Sequence, residues 1–182
     1  MLLETPRLRL RRFTPADVPV FTAYRSHPDV ARYQSWTAPV SAEDAAALVA
    51  RYGAEDPEGP GWFQYAVDRK AAPGLIGDVA VHLHDNGMQA DVGYTFAPEH
   101  QGHGYATEAL RALLRDLFER RGLHRVSAVC DARNLRSARL LERVGFVREG
   151  LRPQFTWLKG EWTDDLLYGL LAERWRRTGA TG

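Results

Sequence analysis

The sequence predicts an α+β fold in three layers, with a mixed, mostly antiparallel central sheet of about seven strands flanked by about four helices. Three observations carry this reading. Short runs of alternating or β-branched residues recur along the chain. Asp85-Asn86-Gly87 marks a tight hairpin between two of them. Ala106, Ala109, Leu110, Leu113, Leu114, Leu117 and Phe118 recur at three- and four-residue spacing, which gives one apolar helix face that a sheet must cover.

Taken in order, Arg7-Leu-Arg-Leu-Arg-Arg12 alternates with period two and reads as the first strand. Thr14-Pro15-Ala16-Asp17 and Ser41-Ala-Glu-Asp44 are helix starts, each with a hydroxyl at the cap and an acid three positions on. Glu55 to Gly61 is dense in turn formers and precedes the strand Trp62–Val67. Leu75–Leu83 and Ala90–Phe96 then form an antiparallel meander with it. The amphipathic helix stops at Gly122. A strand over Arg125–Cys130, a helix over Leu135–Val144, a strand over Phe146–Leu151 and a last strand over Trp162–Leu171 complete the order β-α-α-β-β-β-α-β-α-β-β. A chain of 182 residues suits one domain, over 7–172, with a polar tail over 173–182 that is expected to be disordered beyond Trp175.

Composition narrows the function classes. Lys+Arg 24 against Asp+Glu 23 gives a net charge of +1, which argues against nucleic acid or an anionic membrane as partner. No run approaches the ~18 apolar residues of a membrane span. The single cysteine, Cys130, cannot close an internal disulfide, and the first residues do not resemble a signal peptide, so a cytoplasmic location is expected. Cys130 lies in an apolar run, where a small buried hydrophobe is the simpler reading than a nucleophile.

The chemistry concentrates at Tyr94-Thr-Phe-Ala-Pro-Glu-His-Gln-Gly-His-Gly-Tyr-Ala-Thr-Glu108, where a strand enters a glycine turn and then a helix. Free amides and the positive dipole end of that helix suit an anion, and Gly102 and Gly104 let a phosphate approach the backbone. Neither the Walker loop nor the three-glycine dinucleotide pattern is present, so nucleotide hydrolysis and hydride transfer have no support.

A second segment, Asn134-Leu-Arg-Ser-Ala-Arg-Leu-Leu-Glu-Arg-Val-Gly-Phe146, follows at a telling distance. Gln101-Gly-His-Gly-Tyr-Ala106 resembles the Q/R-x-x-G-x-G/A coenzyme A signature of the GCN5-related N-acetyltransferases (GNAT), and Asn134 to Phe146 is similar to their next motif. The resemblance covers nearly the whole chain and is strongest to the RimJ/RimL-like branch, which acetylates ribosomal-protein N-termini. It implies the GNAT fold, acetyl-CoA as acyl donor and a primary amine as acceptor, either a protein N-terminus or a small amine. It further implies that the backbone of Tyr94, Thr95 and Phe96 pairs with the pantetheine arm like an added strand. Amides of Gly102, His103, Gly104, Tyr105, Ala106 and Thr107 would hold the pyrophosphate, Gln101 opens the cofactor-binding signature, and Asn134 would contact the arm. Asn134 and Ser137 serve equally as cap residues of their helix.

The chain departs from the family where many members carry a tyrosine that protonates the leaving thiolate: here the position is Leu141. The branch resemblance puts Ser137 near the thioester sulfur instead, and Asp91 on the cofactor-facing strand is the candidate base, with an ordinary surface carboxylate as its alternative. His82 and His84 share a strand face with His100 and His103 nearby in sequence, but the spacing matches no recognised metal motif and acyl transfer from CoA needs none, so no metal is expected. His124 reads as structural. Trp36, Trp157 and Trp162 suit an acceptor wall, and Asp164 or Asp165 a cationic amine. Two other readings stay open. One is a larger acyl donor such as succinyl-CoA, with Arg32 or Arg152 receiving its carboxylate, and the other is a non-catalytic CoA-binding regulatory module. Exposed late strands also leave room for a homodimer.

Overall fold

The computed structural model describes residues 2–179. Eight strands form one sheet: β1 (Leu3–Glu4), β2 (Leu8–Arg11), β3 (Gly61–Arg69), β4 (Leu75–Leu83), β5 (Gln89–Phe96), β6 (Arg125–Asp131), β7 (Val147–Leu158) and β8 (Glu161–Leu171). Six helices accompany them: α1 (Val18–Arg25), α2 (Pro28–Ala31), α3 (Ala42–Ala54), α4 (Tyr105–Arg115), α5 (Leu135–Arg143) and α6 (Ala172–Gly179). The strand order is β1-β2-β3-β4-β5-β6-β8-β7, antiparallel throughout except where β5 meets β6. Among the described residues no helix is long and apolar enough to cross a membrane.

The expected elements form for the expected reasons. Ser41 Oγ accepts from the Asp44 amide at 3.0 Å to start α3, and Asn134 Oδ1 accepts from the Ser137 amide at 3.2 Å to start α5. The α4 stripe lies against the sheet with Ala109, Leu110, Leu113 and Leu114 fully buried, so its spacing is satisfied by the face of β2–β5. α1 and α3, joined by Phe13 from the loop after β2, cover the opposite face through Phe21, Tyr24, Val49 and Tyr52. Two apolar layers therefore sandwich the sheet.

The structure corrects the sequence reading in four places. β1 is a two-residue strand, too short for a pattern, and raises the strand count to eight. α2 is a single turn that follows α1 almost at once. β7 runs on past Leu151 to Leu158, carrying Pro153 within a register irregularity between Arg152 and Thr156. An edge strand tolerates such a residue because the missing amide faces no neighbour. The chain beyond Trp175 is helical through Gly179 rather than disordered, because Trp175 is buried and stacks on Phe118 with ring centroids 5.7 Å apart. The rest of the expected tail, 180–182, lies outside the described residues.

Several carboxylates tie elements together. Arg11 on β2 bridges Asp17 at 2.7 Å and Asp68 at 2.8 Å, locking the turn before α1 to β3. Asp116, in the π-turn that ends α4, pairs with Arg120 and Arg121. Glu108 accepts from Thr5 and from the Arg7 backbone and side chain. Burial alone would raise the pKa of Asp17, Asp116 and Glu108, but the hydrogen bonds from their partners outweigh it and hold each of these three below the ordinary carboxyl range. The folded state thus binds these protons less tightly than the unfolded chain. Their contribution is complete above the unfolded carboxyl pKa of ~4 and is lost as the pH falls through the lower folded values. Thermal unfolding between pH 6 and pH 3 is expected to show a falling Tm below about pH 4; a constant Tm over that range would contradict these assignments.

Candidate active site

The turn before α4 combines two left-handed glycines with the free amides of a helix start. Gly102 and Gly104 both sit at φ 78°, a left-handed conformation that costs other residues ~1–2 kcal/mol. A Cβ at Gly102 would meet nothing within 4 Å, so the glycine serves the backbone path and not a crowded neighbour. The first rung of α4 runs from the Glu108 amide to the Gly104 carbonyl at 3.0 Å. The amides of Tyr105, Ala106 and Thr107 precede that rung and lie in the first turn, where no helical carbonyl reaches them. Gln101, Gly102, His103 and Gly104 are exposed, and Tyr105, Ala106 and Thr107 half-buried.

Sequence reasoning missed the residue that braces this turn. Arg7 donates to the His103 carbonyl at 3.1 Å, pairs with Glu108 at 2.6 Å and lies over the Tyr105 ring at 4.7 Å. No local signal marks it, since its partners are 96 and 101 positions away. A cleft of about 670 Å³ adjoins the turn, with Arg7, Lys70, Arg111, Arg115 and Arg143 among its lining residues. These basic side chains gather beside the glycine turn, with Arg7 and Lys70 paired to Glu108 and Glu4 of the same lining.

The second feature is a gap. β5 and β6 pair only at Gln89–Arg125, Ala90–Val126 and Asp91–Ser127, whereas β5 stays paired with β4 as far as Phe96 and β6 with β8 as far as Asp131. From Val92 to Phe96, β5 therefore has no strand on its β6 side among the described residues. Gln101 Nε2 donates to the Phe96 carbonyl at 2.9 Å and joins the end of this open edge to the glycine turn. Tyr94, Thr95 and Phe96 lie on that edge, with the Thr95 and Phe96 side chains buried.

Tyr94 reaches across the gap on the α5 side. Its Oη lies 2.7 Å from Ser137 Oγ, and it donates to the Ser137 carbonyl at 3.2 Å. Burial pushes the Tyr94 phenol well above the ordinary tyrosine pKa, so it stays protonated. Cys130 on β6 neighbours Ser137, and burial pushes its thiol up to about 11, against a role as nucleophile. Asn134 caps α5 through its side chain, as one of its two sequence readings expects.

Asp91 stands at the point where the strands part, on the opposite face from Tyr94, because residues three apart on a strand project to opposite sides. His82 is its cross-strand partner on β4. His84 Nε2 lies 2.9 Å and His82 Nδ1 3.6 Å from the same oxygen, Asp91 Oδ2. All three side chains are between a third and a half exposed.

The structure does not bring the other candidates to this junction as free groups. Asp165 is buried against Arg152 at 3.1 Å and Thr156 at 2.9 Å, and Asp164 accepts from the Gln154 amide. Arg152 is thereby occupied, and Arg32 is exposed beside the Tyr33 ring. Trp36 donates to the Arg25 carbonyl and covers the Arg25 guanidinium at 4.0 Å. Trp157 and Trp162 pair on the β7–β8 hairpin and are exposed.

With this geometry in place, residues 7–147 match the model of the acetyltransferase (GNAT) domain. The chain belongs to the GNAT family. It is an acyltransferase by that membership, and its relatives are named as N-acetyltransferases. The uncharacterized N-acetyltransferase YoaA of Bacillus subtilis is 32% identical over 174 residues, covering 95% of this chain and 98% of that protein. The [ribosomal protein uS5]-alanine N-acetyltransferase of Escherichia coli is 34% identical over 84 residues, covering 46% of this chain and 43% of that enzyme. A GNAT-family acetyltransferase from Bacillus anthracis has a crystal structure that superposes with a TM-score of 0.85 at 28% identity, covering 95% of this chain and 99% of that one.

The turn geometry generates a direct test on this GNAT domain. Gly104→Asp adds a carboxylate at a positive-φ position where the nearest atom to the new Cβ is Arg7 Nη2 at 3.5 Å. Its CoA affinity by calorimetry is expected to fall at least about tenfold, with Gly104→Ala losing less because it adds strain without charge. Equal affinity in a folded Gly104→Asp protein would remove the turn from phosphate binding.

Proposed function

We propose that this chain is an acetyl-CoA-dependent N-acetyltransferase of the RimJ/RimL-like kind, acting on a primary amine at a protein N-terminus. The observation that carries the proposal is the unpaired β5 edge from Val92 to Phe96, which leads directly into the glycine turn. An extended amide-bearing arm is the ligand that such an edge suits, and a diphosphate is the group that suits the turn. Acetyl-CoA carries both, joined in that order. The protein N-terminus is favoured as acceptor by the similarity to the uS5-alanine enzyme. The engagement of Arg152 by Asp165 weighs against a carboxylate-bearing acyl group such as succinyl.

The two faces of the gap divide the chemistry. On one, the Asp91 carboxylate accepts the proton that the amine nitrogen must lose as its lone pair attacks the acetyl carbonyl. On the other, the Ser137 hydroxyl turns its proton from the Tyr94 phenol to the sulfur as the C–S bond breaks, with the phenol then able to donate to Ser137 Oγ. The C–N bond forms, the C–S bond breaks, one proton leaves nitrogen, and the CoA thiolate regains one from solvent. No covalent enzyme intermediate is required. The main service of the fold is to hold amine and thioester in line, for which effective molarities are large.

The test combines calorimetric titration with acetyl-CoA and thiol release against N-terminal peptides, polyamines and aminoglycosides. Binding with release toward peptides supports the reading, and binding without release to any amine would reduce the chain to a CoA-binding module. In the same assay Ser137→Ala is expected to lower kcat about 10-fold or more with little change in CoA affinity, and Asp91→Asn to lower kcat by ~10²–10⁴, the usual worth of a general base. Unchanged turnover in either variant would remove that residue from its role.

A further inference from the structure

Outside the CoA-binding features, the most unusual grouping is the one around Asp91. Three potential metal ligands, two imidazoles and one carboxylate, lie with all donor atoms within 4.8 Å of one another. The sequence places His82 and His84 on one strand face with His100 and His103 nearby, in no recognised spacing; the third ligand comes instead from the β4–β5 register, which sets Asp91 opposite His82. Ligands bound to tetrahedral zinc at 2.0–2.2 Å stand about 3.3 Å from each other. The two separations to Asp91 Oδ2, 2.9 Å and 3.6 Å, bracket that value.

We propose that His82, His84 and Asp91 form a binding site for a divalent transition metal, zinc foremost, that switches the enzyme off. Two neutral nitrogens and one carboxylate oxygen form a donor set that zinc, cobalt and nickel accept and magnesium or calcium does not favour. Both strands are held by the sheet, so the ligands are presented on a rigid base, while their partial exposure leaves the rings free to turn by the small amount that convergence needs. Trp62 lies against the outer side of His82, with ring centroids 5.0 Å apart, and limits the directions in which that ring can move. Arg125, the cation whose charge reaches Asp91, is itself paired with Glu149. Three protein ligands leave a fourth position for water. A metal held there engages the Asp91 oxygen that would otherwise take the amine's proton. The binding is independent of the reaction; the inhibition rests on the acetyl-transfer reading.

The experiment uses the full chain, stripped with a chelator and titrated with Co²⁺. We expect a visible d–d spectrum that saturates at one equivalent, is bleached by Zn²⁺, and weakens at least tenfold in affinity in His82→Ala and in His84→Ala, with far-UV circular dichroism and Tm confirming that both variants fold. Absence of the spectrum, or its persistence in the His82→Ala/His84→Ala double variant, would overturn the site. Thiol release is then followed with stripped protein and with added Zn²⁺. Inhibition that a chelator reverses, and that requires at least tenfold more Zn²⁺ in His84→Ala, supports the switch. Full activity with zinc bound would overturn the switch. A stripped protein that binds Co²⁺ yet transfers no acetyl group would leave the metal site standing and count against the transferase reading alone.

Discussion

The separation of β5 from β6 after the Asp91–Ser127 pair is the constraint on which the rest of the site depends. Each strand is committed elsewhere: β5 to β4 along its whole length, and β6 to β8 as far as Asp131. The two halves of the sheet, β1–β5 and β6–β8, therefore share only three residue pairs. An open strand edge in the middle of a sheet leaves backbone donors and acceptors without a ladder, which is costly unless something pairs with them. Here α4 and α5 cover one face of the junction, and Tyr94 spans it to Ser137. The gap is thus braced from below while its edge stays available.

That brace also sorts the chemistry by strand parity. Asp91 and Tyr94 belong to one strand and face opposite ways, so a carboxylate and a hydroxyl network flank the same opening without touching each other. A bound thioester between them would meet its amine from one side and lose its thiolate toward the other. The glycine turn follows from the same strand. Gln101 ties the turn to the last carbonyl of β5, and Arg7 and Glu108 pin its far end to the N-terminal strands, so an anion bound there is held in register with the open edge.

Much of this was legible before the fold was known, because it is written in local patterns. The α4 stripe, the Asp85-Asn86-Gly87 turn, the two glycines and the Asn134 cap each depend on residues within a few positions of one another, and each forms as expected. What escaped depends on distant partners. Arg7 reads as one more residue of an alternating strand until the fold sets it beside His103 and Glu108. The Tyr94–Ser137 bond joins two motifs 43 positions apart, whereas the motif around Tyr94 speaks only for its backbone. Trp175 looked like the start of a polar tail, since nothing local predicts that Phe118 will receive its ring. The Asp91 grouping falls between these cases: His82 and His84 share a face by simple alternation, but the third member needs the hairpin register.

The measurement that bears most directly on the central claim is amide hydrogen exchange with and without CoA. If the open edge of β5 receives the pantetheine arm as a strand, exchange should slow in two separate segments, 92–96 and 102–107, because one ligand pairs with both. Protection confined to 102–107 would show that the turn binds phosphate while the gap does not serve as the arm's site, and would contradict the account.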